Sequence, residues 1–281
     1  MMRRIEGLLA HVLLVTACAF AVYPLLWVIT LAVSPSGPGA EARLLPIVSA
    51  PSLDNFRTVI GWGTPGGTWL FAHQLANSLV VSLTTALAAI LVATPTAYAL
   101  ARFQFVGAKG GLRALLATQM FPTVASAVPL YLLLDALHLL DSRAGLVLVY
   151  ASTAVPFAIF QLRGSFLAIP VDIEEAAMVD GASRARAFVL VVLPAARPAI
   201  AVTALFAFMS AWNEFILAAT LLSRKTAYTL PVVIQSYVQE QSTSWGPFAA
   251  AAILVSVPVM ALFYVAQRQL VSGLTQGGVK G

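Results

Sequence analysis

Acidic residues are scarce in this 281-residue sequence, eleven in all, and two of them stand side by side in one polar segment. The segment reads Ala168-Ile169-Pro170-Val171-Asp172-Ile173-Glu174-Glu175-Ala176-Ala177-Met178-Val179-Asp180-Gly181-Ala182-Ser183 and leads to Val191-Val192-Leu193-Pro194. Asp172 with Glu175 three positions on has the spacing of a capping box, Asp standing for the usual Ser or Thr, so a short helix should begin there. Asp180-Gly181 supplies a turn or a left-handed stop. Ser183 can cap a second helix, running to Leu193 and bounded by Pro194. The first helix would set Glu174 and Glu175 beside the small Ala176 and Ala177. That surface suits a solvated amphipathic connector, or a helix that another protein approaches closely.

Two further groups of residues carry polar chemistry. Asn213 and Glu214, within Trp212-Asn213-Glu214-Phe215, lie late in an apolar stretch. A carboxylate at that depth faces protein or a watery cavity. It reads either as a gate or pathway position or as a hydrogen bond between helices. The segment 223–247 holds Tyr228, Gln235, Tyr237, Gln239, Gln241, Ser242 and Trp245. Rings that stack on apolar sugar faces and amides that pair with hydroxyls suit a saccharide; the same composition fits an aromatic belt at a membrane surface. Asn77 and Gln119 read as glue between helices.

The chemistry that is missing matters as much. No G-x-x-x-x-G-K-[ST] loop, H-E-x-x-H or G-x-S-x-G occurs. His11, His73 and His138 are far apart, and Cys18 stands alone, so neither a metal set nor a disulfide framework is expected. No catalytic residue is assigned.

The elements that must position these residues follow from composition. The chain is 60% hydrophobic and 10% charged, against about 45–50% and about 25% for a soluble domain. This excludes a water-soluble domain and a disordered chain, and leaves an all-α polytopic membrane protein. Six stretches, 8–33, 75–100, 112–134, 144–162, 199–222 and 248–265, approach the roughly 20 apolar residues that cross a bilayer. The third, with Pro122 and Pro129, is the least convincing as a straight helix. The first continues about fifteen residues past Cys18, too long for a cleaved leader. With the N-terminus inside, eleven of the sixteen Lys and Arg residues fall on inner segments, so both termini are expected in the cytoplasm. The net charge of +5 is thus a topology signal, and nucleic acid is not an expected partner. Residues 276–281 lack an apolar anchor and read as disordered.

Glu175-Ala176-Ala177, Gly181 after three residues, and Val191-x-Leu193-Pro194 after nine more resemble the EAA motif of ABC-importer permeases, with Val191 where the family has Ile. The rest of the chain agrees. Tyr228-Thr229-Leu230, Trp245-Gly246-x-Phe248-Ala249-Ala250-Ala251-Ala252, Ala266-Gln267-Arg268 and the ending Gly273-Leu274-Thr275-x-Gly277-Gly278-Val279-Lys280-Gly281 look like MalG-type carbohydrate permease subunits, whose cargoes are maltose, maltodextrin or trehalose.

That resemblance implies a type I ABC-importer permease fold of six transmembrane helices, one domain over 1–281. It implies a cytoplasmic coupling loop at 163–198, with Glu174, Glu175, Ala176, Ala177, Asp180 and Gly181 contacting an ATPase. It implies a periplasmic scoop with Gln235, Tyr237, Gln239, Gln241 and Ser242, and a tail (271–281) in which Gly277, Gly278 and Lys280 make a second ATPase contact. The implied partners are a second, homologous permease, two ATPase copies that bind ATP and Mg, an extracytoplasmic sugar-binding protein and the lipid of the bacterial inner membrane. The readings held beside it are a permease for another oligosaccharide or a polyol, and a secondary transporter, which would need more buried ionisable groups and paired broken helices.

Overall fold

The structure, a computed structural model, describes residues 2–35, 46, 48, 50–61, 69–238 and 243–278, with side chains placed between Glu6 and Gln267. Every regular element among the described residues is helical. In order they are α1 (Met2–Val33), α2 (Asp54–Ile60), α3 (Leu70–Arg102), α4 (Ala108–Gln119), α5 (Thr123–Ala136), α6 (Arg143–Ala168), α7 (Val171–Val179), α8 (Arg184–Ala187), a π-helical turn (Phe188–Val192), α9 (Leu193–Trp212), α10 (Ile216–Leu221), α11 (Leu230–Gln235) and α12 (Trp245–Gly278). Among the described residues, five helices are long and apolar enough to cross a membrane, and α4 with α5 makes a sixth span only as a pair bent by 98°.

Four expectations change here. The third stretch is two helices, because Pro122 stands extended (φ −64°, ψ 127°) at the start of α5 and the residue before a proline avoids helical geometry. The helix after Ser183 does not stop at Pro194. Pro194 falls in the first turn of α9, and the π-turn before it widens the backbone where a proline would otherwise clash with the preceding carbonyls. The fifth span therefore starts earlier and ends earlier, covering Arg184–Trp212. Finally, α12 continues through Gly278, into the stretch expected to lack structure.

The chain groups into two compact units. The first comprises Met1–His73 with Val233–Pro258. The apolar window of α1 is 0% buried within the chain, a surface that only lipid or another subunit could wet. The C-terminal end of α1 is closed by Asn55 of α2. Its amide donates to the carbonyls of Ala32 (3.0 Å) and Ser34 (2.8 Å), satisfying acceptors that a helix end leaves open. The amide group of Asn55 lies so close to Gly246 that a Cβ there would sit 2.6 Å from it.

The second unit comprises Gln74–Val232 with Val259–Gly281 and holds two clusters. One joins Val81 of α3, Leu134 of α5, Val149 and Tyr150 of α6, and Leu217, Ala218 and Leu221 of α10. The other joins Ala93, Ala97 and Tyr98 of α3, Ile159, Leu162 and Phe166 of α6, Val192 and Ala196. The many alanines let these helices approach closely, as helices in lipid do.

The two glycine environments give a paired prediction. Gly246→Ala overpacks against Asn55 and lowers stability by about 1–3 kcal/mol. Gly110→Ala, where nothing lies within 4 Å of the added Cβ, raises it by up to about 1 kcal/mol. Thermal unfolding of the two variants in the same detergent checks the opposite signs.

Candidate functional site

The segment rich in acids folds as two short helices around a tight turn. Helix α7 begins after Pro170, whose side chain makes no cap. The capping box expected from Asp172 and Glu175 is therefore not formed; Pro170 holds the extended entry instead. At the other end the N–H of Gly181 bonds the carbonyl of Met178 (3.1 Å) and the N–H of Ala182 bonds that of Ala177 (3.0 Å). With Gly181 at φ +91°, this is a Schellman closure, a backbone shape that glycine alone adopts readily. Ser183 caps α8 as expected, its hydroxyl accepting from the N–H of Arg186.

The two neighbouring glutamates point to opposite sides. Glu175 is exposed, with Ala176, Asp180 and Gly181, while Ala177 is half-buried. Val179 at the end of α7 is 88% exposed, an apolar side chain offered to the surroundings. Glu174 is 4% exposed and does not contribute charge to that outer surface. Its Oε1 accepts from the Tyr98 hydroxyl, and its Oε2 accepts from Arg102 Nε at 3.1 Å. The same guanidinium donates to the carbonyl of Ile169 at 2.9 Å. Tyr98 packs on Phe188 (ring centroids 4.3 Å), Phe166 and Phe103, and the Arg184 guanidinium lies 5.2 Å from the centre of the Phe103 ring. Burying the carboxylate is tolerated because each of its oxygens accepts a hydrogen bond, one of them from a cation.

Glu214 lies in the break between α9 and α10. Its Oε1 accepts from the N–H of Leu217 (3.0 Å), and its Oε2 from the N–H of Ala218 (3.1 Å) and the Tyr150 hydroxyl (2.9 Å). The carboxylate thus closes the start of α10 and ties it to α6, a use of both oxygens that favours the helix-bonding reading over the gate. Asn213 ends α9 with its side chain exposed.

Among the residues expected to form a saccharide scoop, Gln235 is exposed at the end of α11, but Tyr237 is 7% exposed. Its ring belongs to the interior, and burial pushes its phenol up to about 12. Gln239, Gln241, Ser242 and Lys280 lie outside the described residues, and Gly277 and Gly278 are the last residues of α12. Gln119 and Asn77 do join helices to their neighbours. Gln119 donates to the Thr153 carbonyl. Asn77 donates to the carbonyls of Thr226 and Tyr228 and accepts from Arg143.

Sequence reading missed Arg102, Tyr98 and Asp141. Asp141, at φ +53°, accepts from the N–H of Ser223 (2.6 Å) and Arg224 (3.0 Å). Partial burial raises its carboxyl pKa, but these donors and the Arg224 guanidinium outweigh it and hold the group below the usual aspartate value. A signal for Arg102 was present: residues 55–134 hold no acid, so a cation ending an apolar span there needs a counter-ion from elsewhere.

Glu174→Ala strands a buried guanidinium and lowers stability by about 3–5 kcal/mol. Glu175→Ala, one residue on, changes it by no more than about 0.5 kcal/mol. Thermal unfolding reads both.

Residues 89–276 match the family described as "Binding-protein-dependent transport system inner membrane component". The chain is 35% identical to the trehalose transport system permease protein SugB of Mycobacterium tuberculosis, over 93% of each sequence. It is 37% identical to the maltose/maltodextrin transport system permease protein MalG of Vibrio parahaemolyticus, over 96% of this chain and 95% of that one. In fold it matches a chain of a bacterial ABC transporter involved in the import of the acidic polysaccharide alginate, with a TM-score of 0.77 at 24% identity over 94% of this chain and 96% of that one.

Proposed function

The chain belongs to the family of binding-protein-dependent transport system inner membrane components, and from that membership we propose that it is one permease subunit of an ATP-driven sugar importer whose ATPase docks on α7. The observation that carries the docking is the division of labour on α7. Its inner side is tied to the protein through Glu174, while Glu175, Ala176, Asp180 and Gly181 stand exposed beside a bare Val179. Small residues let a partner come close, and the charges of Asp172, Glu175 and Asp180 can be met by basic groups across an interface.

The reading supplies a mechanism. The ATPase subunits bind ATP and Mg and close on one another. Helix α7 follows, and the apolar spans rock between inward-open and outward-open arrangements as packed bodies. A second permease completes the pathway, and an extracytoplasmic binding protein delivers the cargo. Both termini lie in the cytoplasm, on the side of α7. A saccharide cargo, maltose, maltodextrin or trehalose, is supported by the MalG and SugB relatives, each about a third identical over nearly its full length.

The test is copurification with the neighbouring gene products. The wild-type chain retains the ATPase. Glu175→Lys, which reverses an exposed charge, and Gly181→Asp, which strains a φ of +91°, each reduce retained ATPase roughly tenfold, a change of about 1.4 kcal/mol. Both variants keeping the ATPase and full sugar uptake would sink the docking assignment.

A further inference from the structure

We infer that Arg102 and Tyr98 are positioning residues that lock α7 to the inner end of α3, so that displacement of α7 is carried along α3 to the segment 225–230 at its far end. The inference rests on the coupling role proposed for α7.

The lock has three points of attachment. Glu174 uses one oxygen for Tyr98 and the other for Arg102. Arg102 also holds the carbonyl of Ile169, just before α7 begins. A single guanidinium therefore grips both the helix and its entry, which opposes sliding as well as rotation. The far side of the Gly181 turn is gripped as well, because Phe188 packs on Tyr98 and Arg184 lies over Phe103. The side chains of Arg102 and Glu174 are only 6% and 5% exposed. Pulling them apart would leave two unpaired charges out of water, so α7 and α3 move together.

The other end of α3 is fastened with equal care. Gln74 donates to the carbonyl of Lys225 (2.9 Å), Asn77 to those of Thr226 (2.8 Å) and Tyr228 (3.0 Å), and Ser78 accepts from the N–H of Leu230 (2.7 Å). Asn77 in turn is held by Arg143 (2.8 Å). From Asn77 to Arg102 the helix rises about 1.5 Å per residue, roughly 37 Å in all, which is more than the roughly 30 Å hydrocarbon core. One helix thus joins a polar fastening on each side of the membrane. Coupling between two such sites is reciprocal, so a signal arriving at 225–230 is returned to α7 by the same route.

The experiment uses the assembled complex of this chain, its partner permease and the ATPase in lipid nanodiscs. Cys18→Ser removes the native thiol, and Thr226→Cys places a single exposed thiol in the far segment. Maleimide labelling of this chain is timed with and without ATP plus vanadate. With the lock intact, the labelling rate changes by about fivefold or more, the lower range for linked sites. Glu174→Gln removes the charge but keeps the shape, and Arg102→Lys keeps a buried cation but loses the fork; in each, ATPase content stays at the wild-type level and the rate change disappears. A merely structural role would lower ATPase content and leave the response of the remaining complexes intact. Either variant retaining both the ATPase and a full-sized response overturns the inference. No response in the wild-type lock likewise overturns the inference, whereas ATPase that fails to copurify at all overturns the coupling reading, independently of labelling.

Discussion

A carboxylate and a guanidinium buried together at the C-terminal end of α3 decide where the surrounding helices can lie. Attraction between Glu174 and Arg102 at 3.1 Å is largely offset by removing both from water. The pair contributes geometry more than net stability. Its effect appears when one partner is lost, since the other is left charged in a low-dielectric interior. Around it, Tyr98, Phe103, Phe166 and Phe188 fill the space that water would need. The direction of α7, and with it the surface offered by Glu175, Ala176 and Asp180, follows from that constraint.

The same economy governs each interruption of the spans. Lipid supplies no hydrogen bonds, so a broken helix must find its partners within the protein. At the break between α9 and α10 the Glu214 carboxylate takes two backbone N–H groups. At the junction of α5 and α6, Ser142 caps α6 and Asp141 collects the N–H groups of Ser223 and Arg224. Just before the 98° bend, Gln119 reaches the Thr153 carbonyl of α6. Glu214, Asp141, Ser142 and Gln119 thus serve places where regular helix is interrupted.

What was legible in the sequence is what depends on neighbours along the chain. Composition and apolar runs disclosed an all-helical membrane protein. Gly181 announced a left-handed stop and Ser183 a cap, because each acts within a turn of itself. The inward aim of Glu174 was not legible: it depends on helical phase and on a partner 72 positions away. Pro194 misled because a π-turn absorbs the disruption that a proline ordinarily makes. Tyr237 was read as a contact residue from its type, and its burial follows from packing that no local pattern encodes. Glu214 drew attention as a charge in an apolar run; its role emerged only with the N–H groups it closes.

The central claim, that the exposed side of α7 is where the ATPase binds, is tested most directly by photo-crosslinking in intact membranes. A photoreactive residue replaces Ala176, on the exposed side of α7, and in a second protein Val106, fully exposed on the elbow between α3 and α4. An ATPase adduct forms from position 176 and not from 106. Adducts from 106 alone, or none from 176 in a transporting complex, would contradict the account.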